Sequence, residues 1–438
     1  MTQTAIIVGA GIGGLAAARG LEAAGWQVRV LDAAPEPGSL GAGVSITSNG
    51  MAALDALGVG DAVRGAAVRA LPEGVFTDQG TPLQEGMHAD SSVVHAIHRS
   101  TLLDILRGER EIETGMRVAG ASDGERGRPS VTIEHGAADP DSSDARSERE
   151  RRKDRARGTK LGRRLHRLLE PGDDPIDRRA EARATRAQVR SLASSRFETL
   201  EADLIVGADG IDSAVRSALW RRARTDYSGA TAWFGIVQAE ADSPAGPRMY
   251  LGRGAAFGME PIDGGRISWW GMAFARMGRR ADDEIEAAVR QFDDWAPEVR
   301  DHIAATGSSS ITHRDLFSLA TRLDSYHRPG VVLVGDAAHA MLPTLGQGGN
   351  ATLEDAATLG ILLEDHPLEQ ALAGYDRARV ERTQRMMHLS ERVARVNTRM
   401  RMPALVAARN GLLNLTPALA TEIASDWMLA WRSPRSAD

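Results

Sequence analysis

The sequence predicts an α/β protein with a Rossmann-like βαβ unit at the N-terminus, a β-rich middle and a helical C-terminal stretch. Three observations predict it. Residues 4–8 (TAIIV) and 28–31 (VRVL) are short apolar runs, separated by a Gly-rich turn and a stretch of helical period. Strand, turn, helix and strand in that order make a parallel pair. Residues 227–275 alternate aromatic and small residues with frequent Gly and Pro, which reads as sheet. From residue 350 onward the apolar period is helical.

The remaining elements follow in chain order. Residues 51–65 read as a helix, as do residues 99–108, with Leu102, Leu103 and Leu106 on one face. Residues 116–135 read as two strands around the turn DGERGR. Residues 202–206 (ADLIV) and 331–334 (VVLV) read as buried strands. Residues 136–196 differ in character. The span 141–196 holds 17 Lys/Arg and 10 Asp/Glu and no aromatic residue, so it reads as a solvated, disordered insertion. Within it, Leu161, Leu165, Leu168 and Leu169 share a helical face beside Arg163, Arg164 and Arg167, the pattern of a short basic amphipathic helix. Without interleaved aromatics it makes a poor nucleic-acid site.

Composition narrows the chemistry. The 438 residues, 42% of them hydrophobic, suffice for two or three domains. Zero cysteines exclude disulfides, Fe–S clusters, thiolate zinc sites and cysteine nucleophiles, and fit a cytoplasmic protein. The only lysines are Lys153 and Lys160, both in the insertion, so any lysine-dependent mechanism must find its lysine there. No apolar run reaches the roughly 18 residues of a membrane helix, so no membrane association is expected. The N-terminus lacks the basic start of a signal peptide, and its glycines have another explanation.

That explanation is Gly9-Ala10-Gly11-Ile12-Gly13-Gly14, a GxGxxG between a strand and a helix. Gly9 permits the tight turn, Gly11 the approach of a pyrophosphate, and Gly14 close helix–strand packing. The helix N-terminus offers free N–H groups to the phosphates. Asp32 ends the second strand, where a carboxylate accepts from a ribose diol. A second motif, VVLVGDAAHAMLPTLGQGGNATLEDA (331–356), places Asp336 at a strand end. Gly346, Gly348 and Gly349 follow, before a helix near Asn350. A third, LIVGADGIDSAVR (204–216), repeats the shape with Asp209, Gly210, Ser213 and Arg216, and its Asp and Ser also suit a helix N-cap.

These motifs in this order resemble the FAD-dependent aromatic hydroxylases, the single-component flavoprotein monooxygenases that include para-hydroxybenzoate and salicylate hydroxylases. The resemblance covers most of residues 1–135 and 197–365. It implies a Rossmann-like FAD-binding domain interleaved with a mixed β-sheet substrate domain and followed by C-terminal helices. The implied segments are FAD-binding at 1–72, 99–135, 197–221 and 313–365, substrate-binding at 73–98 and 222–312, the insertion at 136–196, and helices at 366–438. The insertion sits where the family has a short hairpin turn.

The resemblance also implies residue roles. Gly9, Gly11, Gly13 and Gly14 would hold the FAD pyrophosphate, and Asp32, where the family usually has Glu, the adenosine ribose. Arg99 would reach the phosphate–ribityl side, and Val118 would contact adenine by its backbone. Asp209 and Gly210 match the motif that serves both FAD and NAD(P)H, and Asp336 would bond the ribityl hydroxyls. Pro343, Gly346, Gly348, Gly349 and Asn350 would line the isoalloxazine ring. FAD would be non-covalent, with NADH or NADPH as transient reductant; only one GxGxxG is present. The implied activity is hydroxylation of a small aromatic or heteroaromatic compound, with O2 as oxygen source and a C4a-hydroperoxyflavin as oxygen donor.

In the implied substrate sheet, Trp233, Phe234, Phe257, Met259 and Trp270, with Trp269 and Pro343, are the pocket candidates. Phe257 and Met259 share a strand face, and Trp269 and Trp270 point oppositely. Phe234 stands where the family pattern has an arginine. No catalytic base or metal ligand is identified. His339 reads as structural, and His313 and Asp315 as a surface loop. Met386, Met387, Met400 and Met402 read as core. Two other readings stay open: another FAD oxidoreductase of the same fold, a reductase or halogenase, and a flavin-binding regulatory protein acting through the basic insertion. Residues 269–274 (WWGMAF) lack the halogenase WxWxIP pattern.

Overall fold

The computed structural model describes residues 2–35, 42–86, 89–135 and 196–437. The expected basic helix of the insertion lies outside the described residues.

The first sheet is built around Thr4–Val8, which pairs in parallel with Gln27–Leu31 on one side and Leu204–Gly207 on the other. Val331–Leu333 continues the parallel run beyond Leu204–Gly207, and His327–Arg328 closes the edge antiparallel. The four expected apolar runs are therefore adjacent strands. Ile6, Ile7, Ile205, Val206, Val331 and Val332 are fully buried because helices cover the sheet. Each such side chain contributes roughly 1.5–3 kcal/mol of burial. Parallel strands carry their ligand at the C-terminal edge. Here that edge holds Gly9, Ala208 and Gly335, the starts of the three motif loops.

The second sheet has seven strands in the order Ile311–Leu319, Thr225–Gln238, Arg266–Phe274, Ala255–Ile262, Arg248–Leu251, Gly74–Thr77 and Pro82–Glu85. All pair antiparallel except Arg248–Leu251 with Gly74–Thr77, so the sheet is mixed as expected. Alternation divides it into two faces. Trp233, Phe257, Met259, Trp269 and Ile267 face a core completed by Phe292, Trp295, Val299 and Ile303 from helices Glu284–Gln291 and Pro297–Ala304 and the turn between them. Phe234, Gly258, Glu260, Ser268 and Trp270 take the other face. Trp270 lies across Gly258, where a Cβ would come within 2.5 Å of the indole. A third sheet, Gly43–Ile46, Val94–His98 and Val68–Ala70, rests on this second face through Gly43 N–H, which donates to Ser268 Oγ at 2.9 Å.

The C-terminal residues are helical as expected: Leu368–Arg399, Pro403–Leu415 and Ala418–Leu429. Met386 and Met387 are core, but Met400 is half-buried and Met402 is 64% exposed, because the long helix ends at Arg399 and the chain turns outward. The long helix is fastened to Gln347–Asp365 by a buried charge network. Arg379 pairs with Glu354 and, at 2.7 Å, with Asp355, and Arg382 adds a 2.7 Å bond to Glu354. Asp355 also accepts from Gly335 N–H at 2.9 Å and bonds His339 Nε2 at 2.6 Å. His339 is thus structural, as read from the sequence, and it locks the second motif loop to the helix behind it.

A second, small unit, residues 132–199, is described only at its two ends. There His135 Nε2 and Glu198 Oε2 meet at 2.8 Å.

Candidate active site

The Gly-rich turn shows why glycine is needed twice. Gly9 has φ +103°, and a Cβ there would meet Ala208 O at 2.5 Å. A Cβ on Gly14 would lie 1.8 Å from Gly9 O. Helix Ile12–Ala23 therefore packs backbone to backbone against its own entry turn, with its first N–H groups open to the sheet edge. Helix Gln347–Asp365 starts in the same region from Gly346, which is left-handed at φ +63°.

Both helix N-termini open onto one cleft of about 430 Å³. Its cofactor-motif residues are Gly11, Gly13, Arg99, Gly210, Asp336, Pro343, Gly346, Gly348 and Gly349. Residues 80 to more than 300 positions apart in sequence thus line one cleft. The Arg99 guanidinium points toward Gly11, whose added Cβ would lie 3.9 Å from Nη2. It has no hydrogen-bond partner among the described residues, so its donors are free for an anion. Arg216 holds the two acidic loops together instead. Its buried guanidinium donates to the carbonyls of Ile211 and, at 3.0 Å, of Ala337. The sequence reading noted Arg216 only as part of its motif.

Six expected cofactor residues, Gly14 at the helix entry among them, stand back from this cleft. Gly9 forms the turn behind it. Asp32 is occupied by the backbone: Oδ2 accepts from Ala10 N–H at 2.6 Å and Oδ1 from Ala34 N–H at 2.8 Å. Asp209 accepts from Ala214 N–H at 2.6 Å at the start of helix Ala214–Leu219, whose N-cap is Ser213, the helix-cap role the motif also allowed. Val118 is buried in its strand. Asn350 acts through structure too, with its Nδ2 donating to Ser45 O at 2.9 Å and its Oδ1 accepting from Thr47 N–H at 3.1 Å.

A second cavity of about 320 Å³ adjoins the first. The two share Ser45, Glu260, Trp270, Pro343 and Gly346. Its walls are largely apolar, with Val75, Val94, Met249, Trp270, Leu345 and Met428 among them. Of the expected pocket residues, Trp270 and Pro343 line both cavities, Phe234 and Trp269 line the cleft and Met259 borders the second cavity. Trp233 and Phe257 line neither, which corrects the sequence reading. Their strand positions face the core, where Trp233 donates to Glu284 at 3.0 Å and Phe257 stacks on Trp269 at 5.5 Å. His313 and Asp315 also need correction. They lie on strand Ile311–Leu319, not in a surface loop. The His313 ring is buried, stacked 4.4 Å from Trp233 and 2.7 Å from Glu284, and burial lowers its pKa.

Sequence reasoning missed Glu260 and Ser45. Ser45 Oγ donates to Glu260 Oε2 at 2.6 Å. Withdrawal from bulk water pushes the Glu260 carboxyl up to about 7, with the Ser45 hydrogen bond opposing. The signal was a lone carboxylate in the apolar strand AAFGMEPI.

Comparison with known proteins decides the family. The FAD binding domain family matches residues 1–136 and 177–391. The chain belongs to the FAD-dependent aromatic hydroxylases. It is a flavoprotein monooxygenase by class. It is 31% identical over 403 residues to the aurachin C monooxygenase/isomerase of Stigmatella aurantiaca, covering 90% of this chain and 89% of that one. It is 28% identical to the FAD-dependent urate hydroxylase of Klebsiella oxytoca, over 86% of each chain. In fold it resembles Klebsiella pneumoniae HpxO complexed with FAD and uric acid, with a TM-score of 0.75 at 20% identity over 98% and 97% of the two chains. A salicylate hydroxylase substrate complex gives a TM-score of 0.67 at 20% identity over 98% and 96%.

The cleft of this hydroxylase fits FAD on its own geometry. Two helix N-termini, the free Arg99 donors and a row of glycines whose Cβ positions at Gly210 and Gly346 face open space make a lining suited to a phosphorylated, planar group.

Proposed function

We propose that the chain hydroxylates a small aromatic or heteroaromatic compound held in the second cavity, against an FAD bound non-covalently in the cleft, with NADH or NADPH as transient reductant and O2 as oxygen source. The observation that carries this reading is the apolar cavity opening directly onto the cofactor cleft through Trp270 and Pro343. Relatives named for urate and aurachin C support the substrate class.

Bound FAD supplies the redox chemistry and the activated oxygen. The chain's residues supply position and environment. Gly11, Gly13 and Arg99 would hold the phosphates, and Asp336 the ribityl side. Gly346, Gly348 and Gly349 present the N-terminus of helix Gln347–Asp365, whose dipole would stabilise negative charge on a flavin held there. The apolar walls exclude water from the reacting atoms. The expected assignment of residues 1–72, 99–135, 197–221 and 313–365 to FAD, and of 73–98 and 222–312 to substrate, is part of this proposal. A cytoplasmic location is supported by the absence of cysteine.

The test is NAD(P)H oxidation by the FAD-loaded protein across phenols, aromatic acids and N-heteroaromatics. Oxidation stimulated by one class supports the reading. FAD-loaded protein that no aromatic compound stimulates contradicts it.

A further inference from the structure

Glu260 sits where the two cavities meet, on the strand face that also carries Trp270, Phe234 and Ser268. It is half-buried, and its exposure is to the cavities. Ser45 is its one hydrogen-bond partner among the described residues, donating to Oε2 at 2.6 Å. The hydroxyl of Ser45 reaches it because Gly43–Ile46 is pinned to the sheet by Gly43 and Ser268.

Among the described residues no cation acts on this carboxyl, only burial and the Ser45 hydrogen bond. In the second cavity the other charged residues are Glu85 and Arg248. Arg248 is committed to Glu73 at 2.5 Å and Glu298 at 2.7 Å. In the cleft, Arg99 lies in the fields of Arg314, Asp336 and Asp32, and Asp336 in those of His339, Arg216 and Arg99. On the adjoining strand, His95 faces Arg64 and Arg69, and His98 faces Arg266 and Asp263. Arg401 meets only the far end of the Glu260 strand, at Gly254.

We propose that Glu260 is the proton acceptor for the substrate's hydroxyl or ring N–H, and that it selects uncharged aromatic compounds carrying such a donor over aromatic carboxylates. The assignment rests on the hydroxylase reading for the aromatic nature of the ligand. In the step, the substrate O–H or N–H bond breaks and a proton bonds to a Glu260 oxygen. The electron pair stays on the substrate, which becomes the more electron-rich ring, while Ser45 keeps donating to Oε2. The carboxyl ionises at about 7, so acid and base forms coexist at neutral pH, as proton transfer requires. An aromatic carboxylate meets like charge at Glu260, on which burial and the Ser45 hydrogen bond are the acting influences.

The test uses the FAD-loaded full chain and two matched probes, 2-naphthol and 2-naphthoate, read by the shift of bound-flavin absorption. Between pH 6 and 8 the naphthol stays neutral and the naphthoate stays anionic. The wild type is expected to bind 2-naphthol several-fold more tightly as pH rises through about 7, since a carboxylate is the stronger acceptor. It is expected to bind 2-naphthoate about tenfold more weakly over the same interval, since both groups are then charged. Glu260→Gln, with FAD retained, flattens both curves. Ser45→Ala moves both midpoints to higher pH, because the carboxylate loses its donor.

Identical pH curves in the wild type and Glu260→Gln overturn the assignment, as does 2-naphthoate binding that outcompetes 2-naphthol at pH 8 or a failure of 2-naphthol to bind. The two readings fail separately. Opposed pH curves without oxygen transfer to any compound remove the hydroxylase reading and leave Glu260 as the binding determinant. Hydroxylation with an unchanged pH profile in Glu260→Gln does the reverse.

Discussion

Single positions carry the cofactor cleft, and their legibility in the sequence depended on whether backbone or side chain did the work. Gly9 and Gly14 could be read from spacing because the constraint is steric. Gly14→Ala would drive a Cβ into Gly9 O, so the variant is expected to purify largely colourless, with its FAD-to-protein ratio cut about tenfold or more. Arg99→Met keeps the volume and removes the free donors. It is expected to weaken FAD binding by roughly 10- to 100-fold in a fluorescence titration, the worth of one charged hydrogen bond. Asp32 and Asp209 were harder, since spacing cannot show which nearby amides compete for a carboxylate. Trp233 and Phe257 were harder still. A period of two says which residues share a face but not which face is core, and here both faces are covered.

At the scale of elements, the second motif loop is held by the helix pair behind it. Arg379, Glu354 and Asp355 are fully buried and mutually paired. Removing one partner strands the others, so Arg379→Met is expected to cost about 3–5 kcal/mol, read as a lower midpoint in urea. The network also sets an acid limit. Burial would raise both carboxyls, but Arg379, with Arg382 at Glu354 and His339 at Asp355, holds them below their ordinary values of 4.5 and 3.8. A depressed folded pKa means stability that is present above those values and lost as pH falls below them. The wild type is expected to lose stability steeply below about pH 4, and Arg379→Met less steeply, since the carboxyls lose their cation. None of this pairing was legible, because Arg379 reads from sequence as one polar position in a long helix. Strands Gly74–Thr77 and Pro82–Glu85 were implied only by the resemblance, while the helix itself, the four parallel strands of the first sheet and the strands within 225–274 were legible from pattern. Strand Ile311–Leu319 was not, since its His, Arg and Asp mask the alternation.

For the whole molecule, the sequence reading separated a core from a basic insertion. The ends of the insertion are joined across His135 and Glu198. Replacing residues 137–195 by a short Gly-Ser turn is therefore expected to leave FAD content and thermal midpoint near wild type. A colourless or unfolded product would give the insertion a structural role. The order of the three motifs was the most legible feature of all, because it encodes a topology that brings distant loops to one sheet edge. The substrate side was the least legible, since its cavity is assembled from Ser45, Val75, Met249, Leu345 and Met428, residues that carry no shared pattern.

The central claim is that this cleft and cavity together place oxygen on an aromatic ring. The most direct test is turnover of the FAD-loaded protein with NAD(P)H under 18O2, using the compound that best stimulates oxidation, with the product read by mass. One 18O atom in the product is the expected result. NAD(P)H consumed with only peroxide formed and no labelled product, across neutral and anionic aromatics alike, would contradict the account.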